Sequence, residues 1–142
     1  LSTELFLLMF VILICISTDI GGYTFGKIFK GPKLTKISPK KTYSGMIGGY
    51  LLAIININFF YNYSYFFYDS LTEFTYEVLL VVLLISSISQ IGDILISYFK
   101  RLSKIKDTGK IIPGHGGLLD RIDGMIFAFP FSYLLFILNF LK

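Results

Sequence analysis

The sequence carries little charge and almost nothing that binds a soft metal. Of its 142 residues 15% are charged and 54% hydrophobic, with a mean hydropathy of +0.71. Such a chain is too apolar for an ordinary water-soluble domain, and a membrane protein is expected. There is one cysteine, Cys15, and one histidine, His115. A lone thiol excludes a disulfide within the chain, and one Cys with one distant His disfavours zinc. Cys15 lies inside the first apolar run and reads as a small buried residue. That run also lacks the basic leader and small-residue cleavage site of a signal peptide, so it is expected to stay as a helix. Residues 61–76 contain no Lys or Arg, only Asp69 and Glu73.

Four apolar segments are present: Leu5 to Ile20, Met46 to Phe60 with an aromatic extension to Tyr68, Val78 to Ile96, and Met125 to Leu141. Each approaches the ~20 residues that a helix needs to cross a bilayer core. The expectation is an all-α polytopic membrane bundle of about four transmembrane helices, a single domain over 1–142. Because the chain opens on Leu1 rather than Met, further helices upstream are expected. Of 13 Lys and Arg, six fall between Lys27 and Lys41 and six between Lys100 and Arg121. The positive-inside rule places both connections in the cytoplasm, and gives the basic excess a topological origin, with no nucleic-acid partner expected. The aromatic run "FFYNYSYFFY" at 59–68 then anchors the opposite interface.

Acidic residues carry more information than lysines here, since topology does not require them. Asp19, Asp93, Asp107, Asp120 and Asp123 all fall at or beside the expected cytoplasmic ends of helices. On the third helix Ser86, Gln90, Asp93, Ser97 and Arg101 are spaced by four, three, four and four, which puts them on one face. Such a stripe points to a bundle interior or wet cavity. Asp93 is either a functional carboxylate or half of a structural ion pair with a neighbouring Lys or Arg. Gly45, Gly49 and Ala53 give the second helix a small-residue face for close packing. "GGYTFGK" at 21–27 fits the first part of a phosphate-binding P-loop, but Ile28 replaces the magnesium-binding hydroxyl and a membrane helix precedes it. It is read instead as flexible glycines bringing backbone N–H groups and Lys27 near an anion. "SPKKT" at 38–42 is either a solvated turn or a phosphate-binding set of Ser38, Lys40 and Lys41.

"KIKDTGKIIPGHGGLLDRID" occupies 104–123. If the fourth helix begins near Leu118, Asp120 and Asp123 project from one side of its first turn, with Arg121 elsewhere. With Asp93 they make a hard-cation site, for which Mg²⁺ is the usual occupant when phosphates complete the shell. Gly114, Gly116 and Gly117 let the loop turn around His115, whose role as acid, base, phosphate donor or loop residue stays open.

The stretch Ser97 to Asp123 resembles the signature S-x-x-K-R … K-D … P-G-H-G-G-x-x-D-R-x-D of the phosphatidate cytidylyltransferases, in their C-terminal catalytic half. "DIGGYTFGKIFKGPKLTKISPKKTYSG" at 19–45 is similar to that family's D-[ST]-G-A-Y … S-P-K-K-T-x-E-G block, and "GDILIS" at 92–97 to its G-D-L-x-E-S. Here Ser44 and Ile96 stand where the family usually has Glu, Ile20 where it has Ser or Thr, and Gly22 where it has Ala. The resemblance implies a magnesium-dependent nucleotidyltransferase that converts CTP and phosphatidic acid to CDP-diacylglycerol and pyrophosphate. Mn²⁺ can stand in for Mg²⁺, a second, monovalent cation such as K⁺ is compatible, and so is a homodimer. It implies an integral protein of a bacterial inner membrane, with its site at the cytoplasmic face. In that reading Asp93, Asp120 and Asp123 hold metal, with Lys100 and Arg101 beside them in catalysis. Asp19, Ser38, Lys40, Lys41, Ser97, Lys106, Asp107, His115, Gly116, Gly117 and Arg121 contact substrate. Rival readings are a CTP-dependent kinase or cytidylyltransferase of a polyprenol-type lipid, an ion or solute transporter with charge nearer the midplane, and a noncatalytic scaffold.

Overall fold

In the computed structural model the protein is an all-α bundle with the order α1 (Thr3–Phe29), α2 (Tyr43–Phe67), α3 (Tyr76–Leu102) and α4 (Leu119–Ile137). The structure describes residues 3–35, 38, 41–67, 75–105 and 119–138, without the side chains of 3–4, 64–67 and 119–121. The first three helices are long and apolar enough to cross a membrane, and α4 carries a shorter apolar stretch, Ile122–Ile137. Most of the apolar surface of the three long helices faces outward. Leu8, Leu51, Ile55, Leu84, Ile91 and Leu134 are all exposed, as expected where lipid, not protein, covers a helix.

The buried core is Phe10, Val11, Ile14, Ile57, Val81, Val82, Ile85, Ala128 and Leu135, with Cys15 and Ala53. α1 packs most extensively on α2 and α3 on α4, while α1 also touches α3 and α4. The aromatic run at the end of α2 divides by face. Phe60 and Tyr61 pack on Phe6 of α1, 5.5 and 6.1 Å between ring centroids, whereas Phe59 and Tyr63 stay exposed and stack on each other.

Helix α1 does not end near Ile20, as the apolar run suggested, but continues through Asp19, both glycines and Lys27 to Phe29. The "GGYTFGK" stretch is therefore a helix, not a flexible anion loop, and its N–H groups are taken up by the helix ladder. Lys27 lies over the Tyr23 ring, 5.6 Å from its centroid. The glycines serve packing instead. A Cβ on Gly21 would lie 2.5 Å from the Gly48 carbonyl oxygen, and one on Gly45 would lie 2.5 Å from that of Gly22. The small face of α2 read from Gly45, Gly49 and Ala53 is thus met by a small face on α1. The helix stops where Lys30 turns left-handed at φ 42°, followed by Gly31 and Pro32, a sequence that cannot continue it.

Buried and half-buried hydroxyls, with one amide, tie the helices together. The Thr18 Oγ1 donates to the Ile14 carbonyl at 2.7 Å and pairs with Ser86 Oγ at 2.8 Å, linking α1 to α3. Asn56 Nδ2 donates to Ser17 Oγ at 2.7 Å, linking α2 to α1, and Tyr50 pairs with Ser87 at 2.9 Å, linking α2 to α3. In hydrocarbon such bonds fix helix rotation more than they add stability, each contributing about 0.6–2 kcal/mol.

Candidate functional site

At the end of the bundle where α1 meets the 30–42 connection, a cavity of about 350 Å³ opens. Its polar wall is Thr18, Asp19, Lys41, Thr42, Gln90, Asp93 and Asp123, and its apolar wall includes Tyr23, Leu34, Met46 and Ile94. Four separate parts of the chain contribute, each held there for a local reason.

Asp19 comes from α1, one residue beyond the buried Thr18–Ser86 bond that fixes the helix against α3. Asp93 comes from α3, where the stripe passes from buried Ser86 through half-buried Gln90, Asp93 and Ser97 to exposed Arg101. Asp123 comes from the first turns of α4 and is 8% exposed. Glycine flanks the last two carboxylates, and this lets α3 and α4 approach closely. A Cβ on Gly124 would meet the Ser89 carbonyl oxygen at 3.0 Å, and one on Gly92 would meet the Phe127 ring. Asp93 and Asp123 consequently lie within hydrogen-bonding reach of each other, and Asp19 lies within electrostatic range of Asp93.

Lys41 arrives from a short hairpin. Leu34 N–H donates to the Lys41 carbonyl at 2.8 Å, Lys41 N–H to the Ser38 carbonyl at 3.0 Å, and Tyr43 N–H to the Pro32 carbonyl at 3.1 Å. Thr42 then caps α2, its Oγ1 accepting from Gly45 N–H at 3.1 Å, a usual N-cap arrangement. Ser44, where the resemblance expects Glu, accepts from Gly31 N–H at 3.3 Å and bonds Thr42 at 3.1 Å, bracing the same hairpin. The hairpin aims Lys41 Nζ at Asp93, with which it forms an ion pair. On the other side Lys100 Nζ sits 3.7 Å from Asp123 Oδ2. Lys100 and Arg101 occupy the last turn of α3, where the helix dipole favours cations.

Of the residues expected from sequence, Asp19, Lys41, Asp93 and Asp123 line one cavity, and Lys100 reaches it through Asp123. Ser38 forms the hairpin turn through its backbone, outside the cavity wall. Ser97 lies one turn beyond Asp93, also outside that wall, and Arg101 is exposed at the helix end. Asp120 and Arg121 fall in the first turn of α4, with their side chains outside the described residues. Lys40, Lys106, Asp107, His115, Gly116 and Gly117 also lie outside them. Thr18, Tyr23, Thr42 and Gln90 line the cavity without having been singled out as site residues. Gln90 belongs to the stripe on α3, and Tyr23 and Thr42 to the block at 19–45, so both signals were legible.

Two carboxylates as close as Asp93 and Asp123 repel unless a proton or a cation lies between them. All-oxygen donors at a polar cavity suit a hard divalent ion. Among the described residues no three His, Cys, Asp or Glu side chains close around one metal-sized space, so such an ion would need Asp120, water or a ligand oxygen to complete its shell. What the geometry defines is a membrane helix bundle with a polar cavity at one end, where carboxylates from three helices meet the ammonium groups of Lys41, from the connection before α2, and Lys100, from the end of α3.

The chain belongs to the cytidylyltransferase family, whose model matches residues 1–139. It is 40% identical over 141 residues to the phosphatidate cytidylyltransferase of Rickettsia conorii, covering 94% of this chain and 59% of that protein. It is also 40% identical over 134 residues to the same-named protein of Haemophilus influenzae, covering 93% and 46%, and 36% identical over 137 residues to that of Staphylococcus haemolyticus, covering 96% and 51%. The chain thus spans 46 to 59% of the length of these relatives.

Proposed function

We propose that the chain carries the catalytic core of a phosphatidate cytidylyltransferase, which transfers CMP from CTP to phosphatidic acid and releases pyrophosphate. The observation that carries this reading is the convergence of Asp93 and Asp123 from separate helices, each paired with a lysine from another part of the chain, on a cavity with one polar and one apolar wall. Reaction between two phosphates needs exactly such neutralisation, because the reactants repel each other before any bond changes.

Asp93 and Asp123, with Asp120, are the residues that would hold Mg²⁺. When bound, the ion supplies neutralisation and alignment of the triphosphate. Lys41 and Lys100 draw the anionic reactants into the cavity and stabilise charge as it moves onto pyrophosphate. An oxygen of the lipid phosphate forms a bond to the α-phosphorus of CTP while the bond from that phosphorus to pyrophosphate breaks. The attacking oxygen is already ionised near neutral pH, so no side chain has to remove its proton. Tyr23, Leu34, Met46 and Ile94 offer the lipid a hydrocarbon surface beside this polar wall. The reading puts the protein in a bacterial inner membrane with the cavity toward the cytoplasm, where CTP is available, and leaves room for K⁺ and for a homodimer.

The test supplies labelled CTP and phosphatidic acid to membranes containing the chain, with and without Mg²⁺, beside Asp123→Asn. Metal-dependent CDP-diacylglycerol from the unmodified chain alone is expected. No lipid product would overturn the proposal, and turnover of a polyprenol phosphate in place of phosphatidate would reassign the substrate.

A further inference from the structure

The Lys41–Asp93 ion pair occupies the carboxylate that the functional reading needs for metal. Both side chains are only partly covered, 24% and 28% exposed, so water and small ions reach the pair. The Lys41 backbone is held on both sides by the hairpin bonds to Leu34 and Ser38. Its side chain, by contrast, has four freely turning methylenes, so the ammonium can change partner without any movement of the fold.

We propose that Lys41 is the resident counter-ion of Asp93 in the ligand-free protein, and that it gives up this carboxylate to a divalent cation and moves onto the phosphates of the incoming nucleotide. This rests on the functional reading above. An ammonium and a dication compete for one carboxylate, and the dication, held also by Asp123, has the stronger pull. Once it is bound, the charge of Asp93 is taken up by the dication and the Lys41 ammonium is left beside a cation without its counter-charge, which is costly unless an anion reaches it. Asp19, on the same wall and within electrostatic range of Lys41, offers one negative charge, and a polyphosphate offers several. Cation and nucleotide therefore assist each other's binding through Lys41, and the assistance is reciprocal. Before they arrive, the lysine keeps Asp93 from standing uncompensated at the membrane boundary, where a lone carboxylate is expensive.

Site-resolved acylation of lysines, read by mass spectrometry on the unmodified chain in lipid nanodiscs, follows the exchange directly. Lys30, exposed and away from the cavity wall, is the internal reference. Mg²⁺ alone is expected to raise Lys41 labelling several-fold relative to Lys30, and CTP added with Mg²⁺ to suppress it again. Labelling of Lys41 that stays level or falls with Mg²⁺ would overturn the proposal. In parallel, Mn²⁺ binding followed by electron paramagnetic resonance is expected to tighten about tenfold in Lys41→Met, because a competing positive charge is gone, and to change little in Lys41→Arg, which keeps it. Equal or weaker Mn²⁺ binding in Lys41→Met would also overturn it. If the unmodified chain makes CDP-diacylglycerol with Mg²⁺ and Lys41 nevertheless fails both tests, only the exchange falls. If the unmodified chain neither binds Mn²⁺ nor forms product, the functional reading falls and the exchange with it.

Discussion

Replacing Gly21 with alanine adds one methyl group where α1 crosses α2. That methyl would lie 2.5 Å from the Gly48 oxygen and 2.9 Å from both the Gly48 carbonyl carbon and the Gly49 Cα. Carbon contacts normally settle near 3.5–4.0 Å, so the helix backbones must separate by roughly 0.5–1 Å. Overpacking of this kind costs about 1–3 kcal/mol, and the better helix propensity of alanine returns about 0.5–1 kcal/mol, leaving a net loss of up to about 2.5 kcal/mol, centred near 1 kcal/mol. Gly22→Ala is the matched control. Its methyl would meet only the Gly45 oxygen, at 3.8 Å, so the propensity gain stands alone at about 0.5–1 kcal/mol. Alanine is also what the family pattern carries at that position. The two neighbours should therefore differ by about 2 kcal/mol in opposite directions, measured by equilibrium unfolding in mixed micelles titrated with a denaturing detergent. A separation of α1 from α2 also moves Asp19 away from Lys41, so Gly21→Ala should lose product formation while Gly22→Ala keeps it. Gly21→Ala proving as stable as Gly22→Ala would refute the close-packing argument.

Asp123→Asn removes a charge that Lys100 and the neighbouring Asp93 both sense, and product formation from CTP and phosphatidate should drop about a hundredfold or more; activity within tenfold of the unmodified chain would contradict its role. Chelation of divalent metal should abolish turnover reversibly, with recovery on adding Mg²⁺ or Mn²⁺ in radiolabelled lipid assays. Thr18→Val keeps the shape but strands Ser86 without its 2.8 Å partner, and the same unfolding titration should register a loss of about 0.5–2 kcal/mol. Cysteines placed singly at Lys33 or Lys104, in a Cys15→Ala background, should react with a membrane-impermeant maleimide only from the cytoplasmic side, and one at Thr75 only from the other. Labelling of all three from one side would defeat the proposed topology.

The long-range architecture was legible where one periodicity dominated. The polar stripe on α3 predicted a face turned from lipid, and the structure puts Gln90 and Asp93 of that stripe on the cavity wall. Gly45, Gly49 and Ala53 predicted a close helix contact, which α1 makes. What composition obscured was the length of α1. A stretch of Asp, Ile and two glycines ordinarily ends a helix, because glycine gives up more backbone entropy than any other residue. Here it continues, since the glycines allow a backbone contact with α2 that no local rule describes. The ion pairs were half visible. Asp93 was expected to be either a metal carboxylate or an ion-pair member, but only the hairpin bonds of Leu34, Ser38 and Tyr43 show which lysine reaches it. Thr18 escaped notice because a single Thr in an apolar helix carries no signal until its partner on another helix is known.

Anomalous diffraction from crystals of the chain grown in lipid with Mn²⁺ bears most directly on whether carboxylates from separate helices share one cation. A single strong peak is expected about 2.0–2.6 Å from oxygens of both Asp93 and Asp123. A peak away from these two side chains, or Asp93 turned toward the acyl chains with no metal beside it, would contradict shared ligation.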